Sequence, residues 1–159
     1  MKTIYGNESF TFVKRSTAVG LGNFDGLHVG HMALVNTLVS EARIHNLKSV
    51  IYTFTKHPEN ILRKNLFTLL LTTVGKRIQL LSETALDSLY FDEFDEEYSR
   101  IEPEDFVKQI LVDRLGARLI VTGFNYRFGY MGKGDVDLLK ALGRKYNFNL
   151  IVIPPVKVD

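Results

Sequence analysis

Cysteine is absent from the 159-residue chain. That excludes a disulfide framework and any zinc site built on thiolates, and it is compatible with a reducing compartment. Net charge is nearly absent too. Lys and Arg number 20 against 18 Asp and Glu, leaving +2, a balance that argues for neither a nucleic-acid nor a membrane partner. The longest apolar run, Leu66–Leu71, falls far short of the ~20 residues of a membrane span. Met1–Asn7 lacks the apolar core of a secretory signal. Internal repeats, low-complexity tracts and interdomain linkers are also missing. What is present is an ordinary globular composition, 45% hydrophobic and 24% charged, which points to one cytoplasmic domain. At this length roughly 68–70% of the unfolded surface can be buried.

Strand-like and helix-like patterns alternate. Thr17–Leu21, Ser49–Phe54, Leu86–Phe91, Arg118–Thr122 and Leu150–Ile153 read as strands. Helical spacing runs from Met32 to Ala42, through Lys76–Leu81 behind a Thr72-Thr73 cap, from Pro103 to near Gly116, and from Val136 to Tyr146. This order predicts an α/β fold, a Rossmann-like parallel sheet with helices on both faces. Ligands of such sheets lie at the carboxyl ends of the strands, near a reversal of strand order. Unusual loops follow three of the strands: Gly22–His31, Thr55–Thr72 and Gly123–Asp135. They are expected to converge on one site.

The first of these loops is the most informative segment of the chain. Gly22-Asn23-Phe24-Asp25-Gly26-Leu27-His28-Val29-Gly30-His31 sits between an apolar strand and an amphipathic helix. A helix beginning there aims free backbone N–H groups and its positive dipole end at whatever lies over the turn, which favours phosphate. His28 and His31, three apart, can project from the same side of the helix start. Gly30 between them removes a side chain where a phosphate would approach the backbone. The histidines on their own are compatible with a plain surface turn. A metal site from Asp25, His28, His31 and His57 is a further alternative, although helical zinc pairs more often use i, i+4 spacing with a neighbouring glutamate.

The other two loops carry fewer signals. In Gly123–Gly129, Asn125 offers a neutral hydrogen-bonding group and Arg127 a fixed positive fork. Asp135 either orients Arg127 or caps the following helix. In Thr53–Pro58, Pro58 stops a strand that ends on Phe54. The acidic run Asp92, Glu93, Asp95, Glu96 and Glu97 reads as a solvated face rather than a magnesium site. Leu66–Leu71 is either core or a flap.

The first loop resembles the signature of the HxGH nucleotidylyltransferase superfamily. Its Phe24-Asp25-Gly26 extension, Thr53-Phe54-Thr55-Lys56-His57-Pro58, and Gly123-Phe124-Asn125-Tyr126-Arg127-Phe128-Gly129 before Gly134-Asp135 together resemble the prokaryotic FAD synthetases. These are the FMN adenylyltransferase modules of bifunctional riboflavin kinase/FAD synthetase proteins. The resemblance covers nearly the whole chain, with Lys56 where the family commonly has proline. It implies transfer of AMP from ATP to FMN, giving FAD and pyrophosphate. His28, His31 and Asn125 would be catalytic. Gly22, Asn23, Phe24, Asp25, Gly30 and Arg127 would bind the nucleotide. Phe54, Pro58 and Phe128 would border FMN, with Phe128 stabilising either the flavin or its loop. Magnesium would be carried on the ATP phosphates, with no protein side chain as its ligand. Family members continue past the last strand into an Ile-Ser-Ser-Thr-x-x-Arg-type segment and usually a riboflavin kinase domain. Since this chain ends at Asp159, the expectation is an adenylyltransferase-like domain over 1–159, cut short before that segment and without the kinase domain.

Overall fold

A computed structural model describes residues 1–6, 10–22, 29–54, 78–79, 81–93 and 95–155, with the side chains of 29–31 excepted. Six strands lie in one sheet: β1 (Lys2–Tyr5), β2 (Thr17–Leu21), β3 (Lys48–Phe54), β4 (Ser88–Asp92), β5 (Ala117–Gly123) and β6 (Asn149–Ile153). Their spatial order is β1-β4-β3-β2-β5-β6, and every neighbouring pair is parallel. The predicted parallel α/β sheet is therefore observed. It also has a strand the patterning did not suggest. β1 is a four-residue edge strand in which only Ile4 is buried, too short and too exposed to register as an apolar run.

β2 occupies the middle of the sheet, and all five of its residues are buried, as a strand covered on both faces requires. Period-two alternation sorts its neighbours. Val19, Leu21, Val50, Tyr52 and Tyr90 join Phe106, Val107 and Leu111 in one core layer. Ala18, Ile51, Leu89 and Phe91 join Leu34, Val35 and Leu38 in the other. The second layer belongs to helix α1 (Val29–Ile44). A Cβ on Gly20 would lie 2.9 Å from Leu38 Cδ2 and 3.0 Å from Leu34 Cδ2. The missing side chain is what seats α1 directly on the central strand. The helix closes with Asn46 at φ +55 and a Leu47 N–H to Ala42 carbonyl bond of 2.8 Å, a left-handed cap.

The opposite face is covered by two helical segments. A short turn, α2 (Glu96–Ser99), precedes α3 (Pro103–Asp105). Pro103 stands at the start of α3, where its missing N–H costs nothing. From Phe106 to Arg114 the chain continues as a π-helix, closed by a bond from the Leu115 N–H to the Ile110 carbonyl five residues back. The wide turn directs Phe106, Val107, Ile110 and Leu111 into the core. Helix α4 (Val136–Tyr146) joins β5 to β6, with Asp135 as its N-cap, accepting from the Leu138 N–H at 2.9 Å. Of the predicted helix over Lys76–Leu81, Ile78, Gln79 and Leu81 are described and helical, and Leu66–Leu71 and His57 lie outside the described residues.

Connectivity places the site. The chain leaves β2 through α1 to β3 on one side, reaches β4, then crosses back over α2 and α3 to β5 on the other side of β2. The strand order reverses between β2 and β5, the place where parallel α/β sheets bind ligands beyond their carboxyl ends.

Candidate functional site

Three adjacent strands, β3-β2-β5, deliver the three unusual loops. Leu21 at the end of β2 pairs with Tyr52 on one side and Thr122 on the other, and the Thr122 hydroxyl donates to the Leu21 carbonyl at 3.2 Å. With neighbouring strands about 4.8 Å apart, the three loops leave from a span of roughly 10 Å. Gly22 follows β2 directly, and Gly30 and His31 lie in the first turn of α1. Helix α1 packs on the central strand through Leu34 and Leu38. Asn23, Phe24, Asp25, His28 and Pro58 lie outside the described residues.

The β5 loop is a small braced hairpin. The Phe124 N–H is held by the Ile153 carbonyl at 3.0 Å, and the Tyr126 N–H by the Gly123 carbonyl at 3.3 Å. This turn leaves Asn125 exposed, with its side-chain oxygen 3.5 Å from the position a Cβ on Gly123 would take. Phe128 and Gly134 exchange both backbone bonds, at 3.1 and 2.8 Å. The Tyr130 N–H reaches the Ile101 carbonyl at 2.6 Å. Two glycines make the bracing possible. Gly134 faces the Phe128 ring, and Gly129, at φ +79, lies against Pro103. Arg127 is exposed. Of the two roles open to Asp135, the structure selects the helix cap over orientation of Arg127.

Phe54 and Phe128 come from different loops and meet through an aromatic chain. Phe54 contacts Tyr98 edge-on at 4.9 Å, and Tyr98 contacts Phe106 at 6.0 Å. Phe106 in turn lies 5.7 Å from Phe128, which stacks on Tyr126 at 5.8 Å. Phe54 remains half-buried, whereas Phe128 is 5% exposed. That burial makes Phe128 an anchor of its loop. Tyr98 carries no signal in the sequence; Phe106 reads there only as part of a helix and Tyr126 only as part of the Gly123–Gly129 loop.

The acidic run is not a uniformly solvated face. Asp92 is drawn inward, accepting from the Tyr52 hydroxyl at 2.8 Å and from Arg114 Nη1 at 3.4 Å. Its register opposite Phe54 at the end of β3 puts it beside the aromatic chain. Asp95 caps α2 through the Tyr98 N–H at 2.7 Å, and Glu96 pairs with Arg100 on the surface. Burial pushes the Tyr52 phenol well above the usual tyrosine range, assisted by the nearby Tyr98 and the Asp92 carboxylate. Burial does the same to Tyr98. Both phenols are neutral donors at physiological pH.

The FAD synthetase family profile aligns with residues 11–159. The chain belongs to the FAD synthetase family. A bifunctional riboflavin kinase/FMN adenylyltransferase of Buchnera aphidicola subsp. Acyrthosiphon pisum is 33% identical over 156 residues, which make up 98% of this chain and 50% of the relative. The Escherichia coli K12 protein of the same description is 29% identical over 151 residues, 94% of this chain and 48% of its own. A FAD synthetase of Listeria monocytogenes is 29% identical over 146 residues, 91% of this chain and 58% of its own. The chain spans about half the length of the curated relatives it matches. Among solved structures, a macrolide-efflux protein from Streptococcus pneumoniae superposes with a TM-score of 0.82 at 26% identity, covering 100% of this chain and 52% of that one. Among the described residues of this FAD synthetase-family chain, no helix is long and apolar enough to cross a membrane.

Proposed function

We propose that this chain transfers the adenylyl group of ATP to FMN, forming FAD and pyrophosphate. The observation that carries the reading is the adjacency of β3, β2 and β5, which sends the three family-like loops out from neighbouring strand ends. A phosphate oxygen of FMN attacks the α-phosphorus of ATP. The bond from that phosphorus to the bridging oxygen breaks, and pyrophosphate leaves with the electron pair. Such a transfer needs positioning and charge stabilisation rather than a covalent intermediate.

In this reading His28 and His31 donate to the triphosphate and to the oxygens that gain charge in the transition state. The α1 N-terminus adds backbone donors through Gly30. Gly22, Asn23, Phe24 and Asp25 line the adenosine and phosphates. Asn125 and Arg127 close over the phosphates from the braced hairpin, and the exposure of both leaves them available to a ligand. Phe54 and Pro58 border the flavin, and Phe128 supports that wall from beneath. Among the described residues, no three His, Asp or Glu side chains group to hold a metal. In this reading a magnesium ion is carried mainly by the substrate phosphates. Magnesium would neutralise charge on the departing pyrophosphate. ATP and FMN are soluble metabolites, and the cytoplasm is the compartment we assign to the reaction.

The test is an acceptor panel with labelled ATP and CTP, offering FMN, pantetheine phosphate, nicotinamide mononucleotide and glycerol phosphate. FMN with ATP should be the productive pair. Faster turnover with another acceptor would assign the chain to a different HxGH transferase activity. Tight flavin binding with no pyrophosphate release would make it a binding module.

A further inference from the structure

Among the described residues β6 is the last strand of the sheet, with β5 on one side and no strand on the other. The Ile153 carbonyl turns toward β5, where it takes the Phe124 N–H at 3.0 Å. In a parallel strand the N–H and C=O of one residue point the same way, and those of the next residue point oppositely. Leu150 and Val152 therefore direct two donors and two acceptors over the open edge. Pro154 and Pro155 follow β6 and have no N–H to lengthen that row. The side chains of Leu150 and Val152 stand on the α4 face of the strand. With Phe148 they line a groove of about 370 Å³ whose other wall is Lys140, Gly143 and Arg144 on α4. Gly143 lets that wall come close, since a Cβ there would lie 2.9 Å from the Phe148 carbonyl oxygen. Val152 is 37% exposed. Lys140 and Arg144 lie one helical turn apart and are both exposed. The neighbouring Lys145 pairs with Glu104 at 2.7 Å, whereas neither Lys140 nor Arg144 has a carboxylate partner among the described residues.

An open edge, an apolar groove beside it and two unpartnered cations above it coincide in one place. We propose that this groove takes an extended acidic peptide segment, which adds to β6 as a further strand and sets its carboxylates against Lys140 and Arg144. Exposed strand edges are templates for such pairing. Main-chain bonds supply affinity, and side chains at alternate positions supply specificity. A second copy of the chain fits less well. Two-fold pairing of β6 with itself brings both α4 helices to the same face of the joined sheet. Lys140 and Arg144 of one copy then meet the same residues of the other, a like-charge contact. Charge therefore selects the partner. The groove lies outside the three strands whose loops carry the proposed chemistry, so the inference stands independently of the adenylyltransferase reading.

The experiment uses the 159-residue protein and two fluorescein-labelled hexapeptides, one alternating glutamate with valine and the other alternating lysine with valine. Binding is read by fluorescence anisotropy, and hydrogen exchange of the β6 amides by 15N NMR. The acidic peptide should bind at least about 10-fold tighter than the basic one, and the double variant Lys140→Glu, Arg144→Glu should weaken it by about as much. Exchange at the Leu150 and Val152 amides should slow by about 10-fold or more once they gain partners, while Ile151, which faces β5, changes little. Both substituted side chains are exposed, and the exchange measurement on the unaltered protein stands apart from how the variant folds. No binding of the acidic peptide, equal binding of the two peptides, or a complex indifferent to the charge reversal overturns the inference. So does binding that leaves Leu150 and Val152 unprotected. Inorganic tripolyphosphate is titrated in parallel. If it perturbs Lys140 and Arg144 while the acidic peptide does not bind, the groove is a phosphate site and the inference fails. A dimer by sedimentation that protects the same two amides without peptide assigns the edge to a second copy and overturns it equally.

Discussion

Replacing Gly129 by alanine should loosen the hairpin that carries Asn125 and Arg127. Gly129 has φ 79 and ψ −177, a backbone region that is essentially glycine-only and costs other residues about 1–3 kcal/mol. The added Cβ would also lie 2.7 Å from Pro103 Cγ, 2.8 Å from its Cα and 2.9 Å from its Cδ. Pro103 is buried at the start of α3, so backbone rather than a free side chain must give way, at a further ~1–3 kcal/mol. A mid-range total of about 4 kcal/mol lowers the melting temperature by roughly 8–16 °C in a chain of this size. Gly132 is the control. It too has positive φ, +62, but its nearest neighbour would be Arg127 Cβ at 3.8 Å. Only the left-handed backbone term of about 1–2 kcal/mol remains, so the fall should be half as large or less. Differential scanning calorimetry reads both variants. FAD synthesis should drop more for Gly129→Ala, because a 1 Å misplacement of a positioning group can cost on the order of 10²-fold in rate. Equal melting shifts at the two glycines, or a Gly129→Ala protein that melts with the wild type, would refute the argument.

Two other outcomes are expected. His28→Ala and His31→Ala should each lower turnover by about 10²–10³ while changing FMN affinity far less, and steady-state kinetics beside a flavin titration reads this; activity retained within a few-fold rejects their roles. Tyr52 and Tyr98 stay protonated in the fold above pH 10, where the unfolded chain ionises them. The unfolded state then binds fewer protons than the folded one, so stability falls as pH rises, most steeply above pH 10. Urea midpoints at pH 9, 10 and 11 should therefore decline, and flat midpoints would contradict the burial of the pair.

The sheet was legible because its central strands are unbroken apolar runs, and α4 because Asp135 and the left-handed Asn147 punctuate both of its ends. β1 was not legible, since one buried residue in four leaves no pattern. The π-helix was also hidden. Phe106, Val107, Ile110 and Leu111 keep an ordinary helical spacing in sequence, and only the hydrogen bonds show the wider turn. At the proposed site, the glycine-rich loops carry residue types that suit phosphate chemistry. The side chains that support them carry no such signal. Asp92 reads as one acid among five, and its inward turn depends on Tyr52, Arg114 and the space at Gly6, partners far away in sequence. Phe128 reads as stabilising the flavin or its loop, and its burial against Phe106 is a contact that the sequence does not announce.

Whether one site joins the α-phosphate of ATP to the phosphate of FMN is decided by incubating the protein with FMN and ATP labelled at either the α or the γ phosphorus, and separating the products. The α label is expected in FAD and the γ label in pyrophosphate, in equal amounts. A γ label on the flavin product, or ATP consumed with no label reaching FAD, would contradict it.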